Sequence, residues 1–166
     1  MVNTFSGYTS GKRYNDPGSG TDNLCLPDDP LWGHYHDGAD DLRGFIYGTE
    51  VDHRDNDGIF PNPINEQDMP CAVCRTNKTV TLMIAARTAC YPGWTVEYTG
   101  NLMSGVTGSS YFAYDHLCLD GDPEYLAHGG TNDNQHILFN VEAKCGSLPC
   151  PPYVEGRELA CVVCSK

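Results

Sequence analysis

Short apolar stretches separated by turn residues run along the whole chain. Stretches rich in β-branched and other apolar side chains are typical of strands, and they occupy residues 79–84, 95–98, 136–139 and 159–163. Clusters of Gly, Pro, Asn and Asp interrupt them, as at residues 55–58 and 129–132. No window keeps a 3.6-residue apolar period, so we expect few helices or none. The pattern predicts an all-β fold, an antiparallel sandwich or barrel.

The chain also repeats its own motifs. Three of them occur twice in the same order: LCL at 24–26 and 117–119, YGTE at 47–50 with FNVE at 139–142, and CxxC at 71–74 and 161–164. A unit of this size is one half of a packed body, because either half alone would bury little core. We therefore expect a single domain over residues 1–166, made of pseudo-repeats 1–78 and 90–166 that share one core.

The cysteine content indicates an oxidising compartment. Nine cysteines among 166 residues are many for a cytosolic protein, and with 18 glycines and 11 prolines they predict a loop-rich fold held by disulfides. The sequon at residues 77–79, an acceptor pattern for a glycan on Asn77, agrees with secretion. Since no charged-then-apolar leader begins the sequence, we expect a secreted protein in mature form.

The charge excludes some partners. A formal net charge of −12 speaks against nucleic acids and anionic membranes, because both attract basic surfaces. No apolar run approaches the roughly 20 residues that span a bilayer. We expect neither a nucleic-acid partner nor membrane insertion.

The duplication limits how the cysteines can pair. Each repeat is expected to close one bridge between its LCL and CxxC motifs: Cys25 to Cys71 or Cys74, and Cys118 to Cys161 or Cys164. Cys145 and Cys150 belong to an insertion of the second repeat and are expected to pair with each other. Cys90 is then expected to form a disulfide with the CxxC cysteine that is left over in one of the two repeats. The ninth cysteine stays free, either buried as a small apolar residue or bridging to another chain.

Four longer segments carry a family resemblance: LCLPDDP at 24–30, PCAVCR at 70–75, CYPGW at 90–94, and GSLPCPPY at 146–153 leading to GREL. Over most of its length the chain resembles the C-terminal non-collagenous domain of sponge short-chain collagens of the C4-like type. The resemblance implies a secreted, non-enzymatic matrix or binding protein without catalytic residues. The chain has no Gly-X-Y tract, so it cannot itself form a collagen triple helix. Free-standing sponge proteins of this size include carotenoid-binding pigment proteins, so a carotenoprotein subunit is the alternative.

Acidic residues offer candidate cation sites. Residues 52–58 look like a calcium loop, but with Gly58 in position six the twelfth position holds Ile64 instead of a bidentate Glu, so this is no EF-hand. Asp52, Asp55 and Asp57 either bind Ca²⁺ or Mg²⁺ through another geometry or form a solvated turn. A second acidic group of the same kind comprises Asp37, Asp40 and Asp41.

Repeated carboxylates and paired histidines are further candidates. Glu50 and Glu142 occupy matched positions in the two repeats, so near a pseudo-twofold axis they could share a cation or a proton; alternatively, each accepts hydrogen bonds from its own loops. His34 and His36 would share one face of a strand, as a metal pair requires. No third ligand is evident beside them.

Aromatic residues in predicted loops are the strongest binding signal. Aromatic rings with a polar tip line sugar sites and apolar grooves and anchor interfaces, although packing explains many of them. The candidates are Tyr8, Tyr14, Trp32, Tyr35, Tyr111, Phe112 and Tyr114.

Three functions remain, none of them catalytic. The first is a matrix or adhesion module that forms a homo- or hetero-oligomer with a related chain. The second is a carrier of an apolar small molecule such as a carotenoid, bound at a subunit interface. The third is a Ca²⁺-dependent lectin that binds a glycan. No nucleophile elbow, phosphate loop or metalloprotease helix supports an enzyme. Each CxxC pair ends a strand-like stretch, which favours structural disulfides over thiol redox chemistry or zinc.

Overall fold

The computed structural model describes residues 1–39, 42–53 and 57–166. Ten strands lie within these ranges: β1 (Val2–Gly11), β2 (Leu24–Pro27), β3 (Tyr47–Val51), β4 (Gln67–Asp68), β5 (Pro70–Arg75), β6 (Thr81–Ala85), β7 (Thr95–Ser104), β8 (Leu117–Asp120), β9 (His136–Asn140) and β10 (Ala160–Ser165). The described residues contain no helix. The all-β prediction is confirmed, and the four stretches predicted as strands contribute to β6, β7, β9 and β10.

The two repeats fold with the same strand pairing. In the first repeat β1 pairs antiparallel with β2, β3 and β5, and in the second β7 pairs antiparallel with β8, β9 and β10. The registers agree as well: Gly7 lies opposite Cys71 in β5, and Gly100, 93 residues later, lies opposite Cys161 in β10. Both ladders also carry one register shift near the same end. The duplication seen in the motifs is therefore a duplication of backbone structure.

One strand pair departs from the antiparallel prediction. The two halves meet where β3 pairs with β9, and these two strands run parallel. β3 and β9 are equivalent strands of the two repeats. A rotation that relates the repeats about an axis along these strands keeps both strands pointing the same way, so they pair in parallel. The resulting sheet is mixed, in the order β2-β1-β3-β9-β7-β10-β6, and it curls into a half-barrel.

Both repeats contribute to a single core. The buried cluster contains Val51, Phe60, Ile64 and Met69 from the first repeat and Met103, Tyr114 and Leu138 from the second. Leu117 and Leu119 of β8 pack against it while partly exposed. Because the two halves enclose the same apolar interior, neither can bury its strands without the other.

Four disulfides fasten this fold. The structure pairs Cys25 with Cys71, Cys118 with Cys161, Cys90 with Cys164, and Cys145 with Cys150, and it leaves Cys74 free and exposed. All four are among the pairings that the duplication allowed. The two equivalent bridges span 46 and 43 residues, so each restricts the unfolded chain by about 4 kcal/mol in the chain-entropy account. Several disulfides indicate an extracellular or other oxidising compartment.

Two glycines mark where a second strand crosses closely. A Cβ atom on Gly7 would lie 1.9 Å from the carbonyl oxygen of Leu26 in β2. A Cβ atom on Gly100, the equivalent position, would lie 1.7 Å from the carbonyl oxygen of Leu119 in β8. In both repeats the neighbouring backbone occupies the space that a side chain would need.

Candidate binding surfaces

The connection between β2 and β3 exposes a group of large apolar side chains. We call residues 31–46 the apolar loop; its residues 40 and 41 lie outside the described part of the chain. Leu31 is 98% exposed, Trp32 77% and Tyr35 73%. The other exposed apolar side chains of this loop are Leu42, Phe45 and Ile46. Large apolar side chains exposed along one segment are candidates for a surface that another molecule covers.

Three of the predicted aromatic residues come together elsewhere. The rings of Tyr14 and Tyr111 lie 5.4 Å apart between centroids, and the backbone N–H of Phe112 donates to the carbonyl of Tyr14 at 3.0 Å. The ammonium group of Lys12 lies 5.2 Å from the centroid of the Phe112 ring. These contacts join the loop after β1 to the loop before β8. They form a small cross-repeat cluster with one cation against an aromatic face.

The remaining predicted aromatic residues do not join this cluster. Tyr114 is buried in the core, where its hydroxyl donates to the carbonyl of Ile137. Burial raises its pKa to about 12. Tyr8 borders an acidic pocket described below, while Trp32 and Tyr35 belong to the apolar loop. The seven predicted aromatic residues therefore lie in four separate surroundings and do not form a single site.

An acidic pocket lies at the junction of the two repeats. Its volume is about 190 Å³, and Tyr8, Glu50, Asp68 and Asp133 are among its lining residues. Glu50 in β3 lies directly opposite Asp68 in β4. Glu50 is 2% exposed, and its Oε2 accepts the backbone N–H of Asp133 at 3.1 Å. Its other oxygen, Oε1, has no hydrogen-bond partner among the described residues.

The electrostatics of this pocket favour protonation of its carboxylates. Burial raises the pKa of Glu50, and the nearby carboxylates of Glu66 and Asp68 raise it further, against hydrogen bonds from the backbone that lower it. Burial also raises the pKa of Asp68, with Asp133 acting in the same direction. Like charges directly across an antiparallel pair repel each other. A proton or a cation in the pocket would relieve that repulsion.

The matched carboxylates Glu50 and Glu142 do not come together. In the parallel pairing of β3 with β9, Glu50 lies beside Ile137, five residues before Glu142. At about 3.3 Å per residue, the matched carboxylates are on the order of 15 Å apart along the strands. They are therefore too far apart to share a cation or a proton. Glu142 is exposed and forms a β-bridge with Glu158.

The predicted calcium loop has other contacts. Asp57 accepts the backbone N–H of Ile59 at 3.0 Å and lies 3.1 Å from Nε2 of His53. Asp52 is partly buried, and Asp55 lies outside the described residues. Asp40 and Asp41 lie there too, whereas Asp37 is exposed. Within the described ranges no three acidic, histidine or cysteine side chains form a group that could hold a metal ion.

The predicted histidine pair is also corrected. Residues 34–36 lie in a loop and form no strand, and both His34 and His36 are exposed. Their predicted common face therefore does not exist. Turn residues and exposed aromatics surround them, and nothing in this stretch pairs with a neighbouring strand.

Sequence reasoning missed that His136 is buried without exposed surface. Its Nδ1 lies 2.7 Å from the hydroxyl oxygen of Thr49, and its ring centroid lies 4.5 Å from that of Tyr114. Its Nε2 has no partner among the described residues. A Cβ atom on Gly11 would lie 2.5 Å from that nitrogen. Burial lowers the pKa of His136 to about 4, so the ring is neutral at pH 7. In the sequence His136 begins a strand-like stretch, and a strand position alone does not indicate whether the side chain is buried.

A groove separates the strands of the two repeats on another side. Its volume is about 900 Å³, and its lining mixes apolar and polar residues. Leu24, Met69, Leu117, Leu119 and Leu138 line it, together with Tyr98. The hydroxyl of Tyr98 donates to the carbonyl of Cys118 at 3.0 Å. None of the seven predicted aromatic residues lines this groove.

Comparisons with known proteins leave these surfaces without a template. No family model matches the chain, and neither a curated protein nor a solved structure does. Among the described residues no helix is long and apolar enough to cross a membrane.

Proposed function

We propose that this chain is a secreted, non-enzymatic binding module that assembles with chains of its own fold through the apolar loop. The observation that carries the proposal is the exposure of Leu31, Trp32 and Tyr35 beside one another in sequence. Interfaces are enriched in Trp and Tyr, because these side chains bury a large area with few rotatable bonds. The four disulfides support a place outside the cell, where matrix proteins assemble. The resemblance to a matrix-collagen domain supports the same class.

The surroundings of the loop support a protein partner. Acidic residues flank or interrupt the apolar loop in sequence, among them Asp28, Asp29 and Asp37, and interfaces combine an apolar centre with a polar rim. Burial of one large aromatic or aliphatic side chain contributes about 1.5–3 kcal/mol. Since about 1.4 kcal/mol changes a dissociation constant tenfold, a single anchor residue is enough to decide assembly.

Sedimentation velocity on the disulfide-intact chain, over a range of concentrations, tests the proposal. We expect self-association, and we expect Trp32→Ser to raise the dissociation constant at least tenfold. Tyr125→Ser is the matched control, because Tyr125 is 49% exposed in the corresponding connection of the second repeat, between β8 and β9. A chain that stays monomeric at every concentration, or equal effects of both variants, would contradict the proposal.

A second candidate function is the transport of an apolar small molecule. It is favoured by the groove between the repeats, whose volume falls within the range of small-molecule sites. Leu117 and Leu119 border both this groove and the core. An elongated apolar ligand such as a carotenoid could lie along the groove within one chain.

The absorption spectrum of protein from its native source tests this candidate. A visible band that disappears on denaturation would support a pigment carrier. Leu117→Trp, which adds bulk to the groove, should then reduce the amount of bound pigment, whereas Trp32→Ser should not. Colourless native protein that also fails to take up an added carotenoid would rule it out.

A further inference from the structure

The duplication is broken at one edge of the sheet. In the second repeat the outer edge of β10 is covered by β6, which pairs with it antiparallel from Cys161 to Ser165. The equivalent strand of the first repeat is β5, and among the described residues it pairs with β1 alone. One of two equivalent edges is thus paired and the other is open.

Burial shows what the missing strand would cover. In β10, Val162 and Cys164 have no exposed surface, whereas the equivalent residues of β5, Ala72 and Cys74, are both exposed. Val73 of β5 is 38% exposed as well. Ala72 and Cys74 line the groove between the repeats, so open space lies beside them. An open strand edge presents unpaired backbone N–H and C=O groups to any extended chain that approaches it.

The cysteines repeat the same asymmetry. Cys164 of β10 lies opposite Leu82 of β6 and forms its disulfide with Cys90, eight residues further along the same segment. Cys74, the equivalent of Cys164, is free and exposed. In the second repeat, therefore, a strand pairs with the outer edge of β10, and a cysteine that follows this strand forms a disulfide with β10.

We propose that the open edge of β5 accepts an extended segment of a partner chain in antiparallel register, as β6 lies against β10, and that Cys74 forms a disulfide with it. The partner segment has apolar residues at alternating positions and no proline where it pairs. It carries a cysteine eight residues after the residue that lies opposite Cys74. Backbone hydrogen bonds give the affinity in such strand addition, and side-chain positions give the register.

The covalent step is a thiol–disulfide exchange. The thiolate of Cys74 attacks a partner cysteine that already carries a small thiol in disulfide linkage. One sulfur–sulfur bond forms between the two chains, and the small thiol leaves as its thiolate, so no net oxidation is needed. The inference rests on the proposed assembly function, but it concerns a different surface from the apolar loop.

A peptide of this chain's own residues 79–91 is the test probe, because it contains β6 and Cys90. Its cysteine is activated with thionitrobenzoate, and release of the coloured thiol gives the rate of exchange with the intact protein. We expect it to react at least tenfold faster than the same peptide with Ile84→Pro. The reciprocal hydrogen bonds between Val80 and Lys166, and the alternation of an antiparallel ladder, direct the backbone N–H of Ile84 toward the neighbouring strand, and proline cannot donate that hydrogen bond. Peptide mapping should place the new bridge on Cys74, and Cys74→Ser protein should give none.

A non-covalent readout separates docking from chemistry. With the Cys74→Ser protein and a Cys90→Ser peptide, hydrogen exchange should slow in residues 70–75. Equal exchange rates for the two activated peptides, or no protection of β5, would overturn the proposal. So would a chain that joins itself through Cys74 but ignores the peptide. Trp32→Ser protein should react with the peptide at the rate of the unmodified protein. A failure of the proposed strand pairing at β5 can therefore be distinguished from a failure of the proposed assembly through the apolar loop.

Discussion

Gly7 is the position where one added methyl group should do most damage. Its missing side chain leaves room for the carbonyl oxygen of Leu26, which an alanine Cβ would approach to 1.9 Å. An ordinary Cβ contact begins near 3.4 Å, so Gly7→Ala must push the two strands apart by about 1.5 Å. The neighbouring disulfide, Cys25–Cys71, ties β2 to β5 and resists that movement. The equivalent clash at Gly100 predicts the same outcome in the second repeat.

The expected magnitude follows from the backbone nature of the contact. Overpacking a well-packed site costs about 1–3 kcal/mol when side chains can adjust, and more when backbone must move. We therefore expect Gly7→Ala to lower the free energy of unfolding by at least about 3 kcal/mol. For a domain of this size that corresponds to a fall in Tm of roughly 6–12 °C. Gly48→Ala is the control, because nothing lies within 4 Å of its Cβ position, and it should be neutral or stabilise by up to about 1 kcal/mol.

Denaturant unfolding of the oxidised proteins, followed by circular dichroism, measures these differences. The slope of the transition should stay the same in all three proteins, so that the midpoint reports stability. A loss below about 1 kcal/mol for Gly7→Ala would refute the close crossing of β1 and β2. An equal loss for Gly48→Ala would show that strand glycines matter for another reason.

Three further predictions concern titration and thiols. Burial lowers the pKa of His136 to about 4, so as the pH falls below about 6.5 the unfolded chain takes up a proton on this histidine before the folded chain does. The free energy of unfolding should therefore drop by about 3 kcal/mol toward pH 4. His136→Gln should flatten that part of the pH profile. Burial raises the pKa of Glu50, so Glu50→Gln should stabilise the fold by on the order of 1 kcal/mol at pH 7. At pH 4 the gain should be small, because Glu50 is already largely protonated there. An equal gain at both pH values would contradict this prediction. Alkylation without reductant should modify Cys74 alone, and mass spectrometry finding two or more modified cysteines would count against the assigned bridges.

Local sequence was enough for four of the ten strands and for the duplication. Stretches of β-branched residues define strands because such side chains suit a pleated, half-buried surface. The repeated motifs predicted equivalent strands and the choices of disulfide partner, since a duplicated unit repeats its own backbone. Sequence alone did not anticipate that Phe60 and Ile64, which flank a proline-rich turn, enter the core, because turn residues give no period that separates buried from exposed positions.

The amino-acid sequence by itself determined the fold class, the two-unit organisation and the cysteine logic, because these depend on residue type and spacing. Only the tertiary structure decided which surfaces exist. It separated Glu50 from Glu142 through the register of β3 against β9, it dispersed the aromatic residues, and it covered the edge of β10 while leaving that of β5 open. Register, burial and edge pairing arise between residues far apart in the chain, and such long-range relations leave no local pattern to detect.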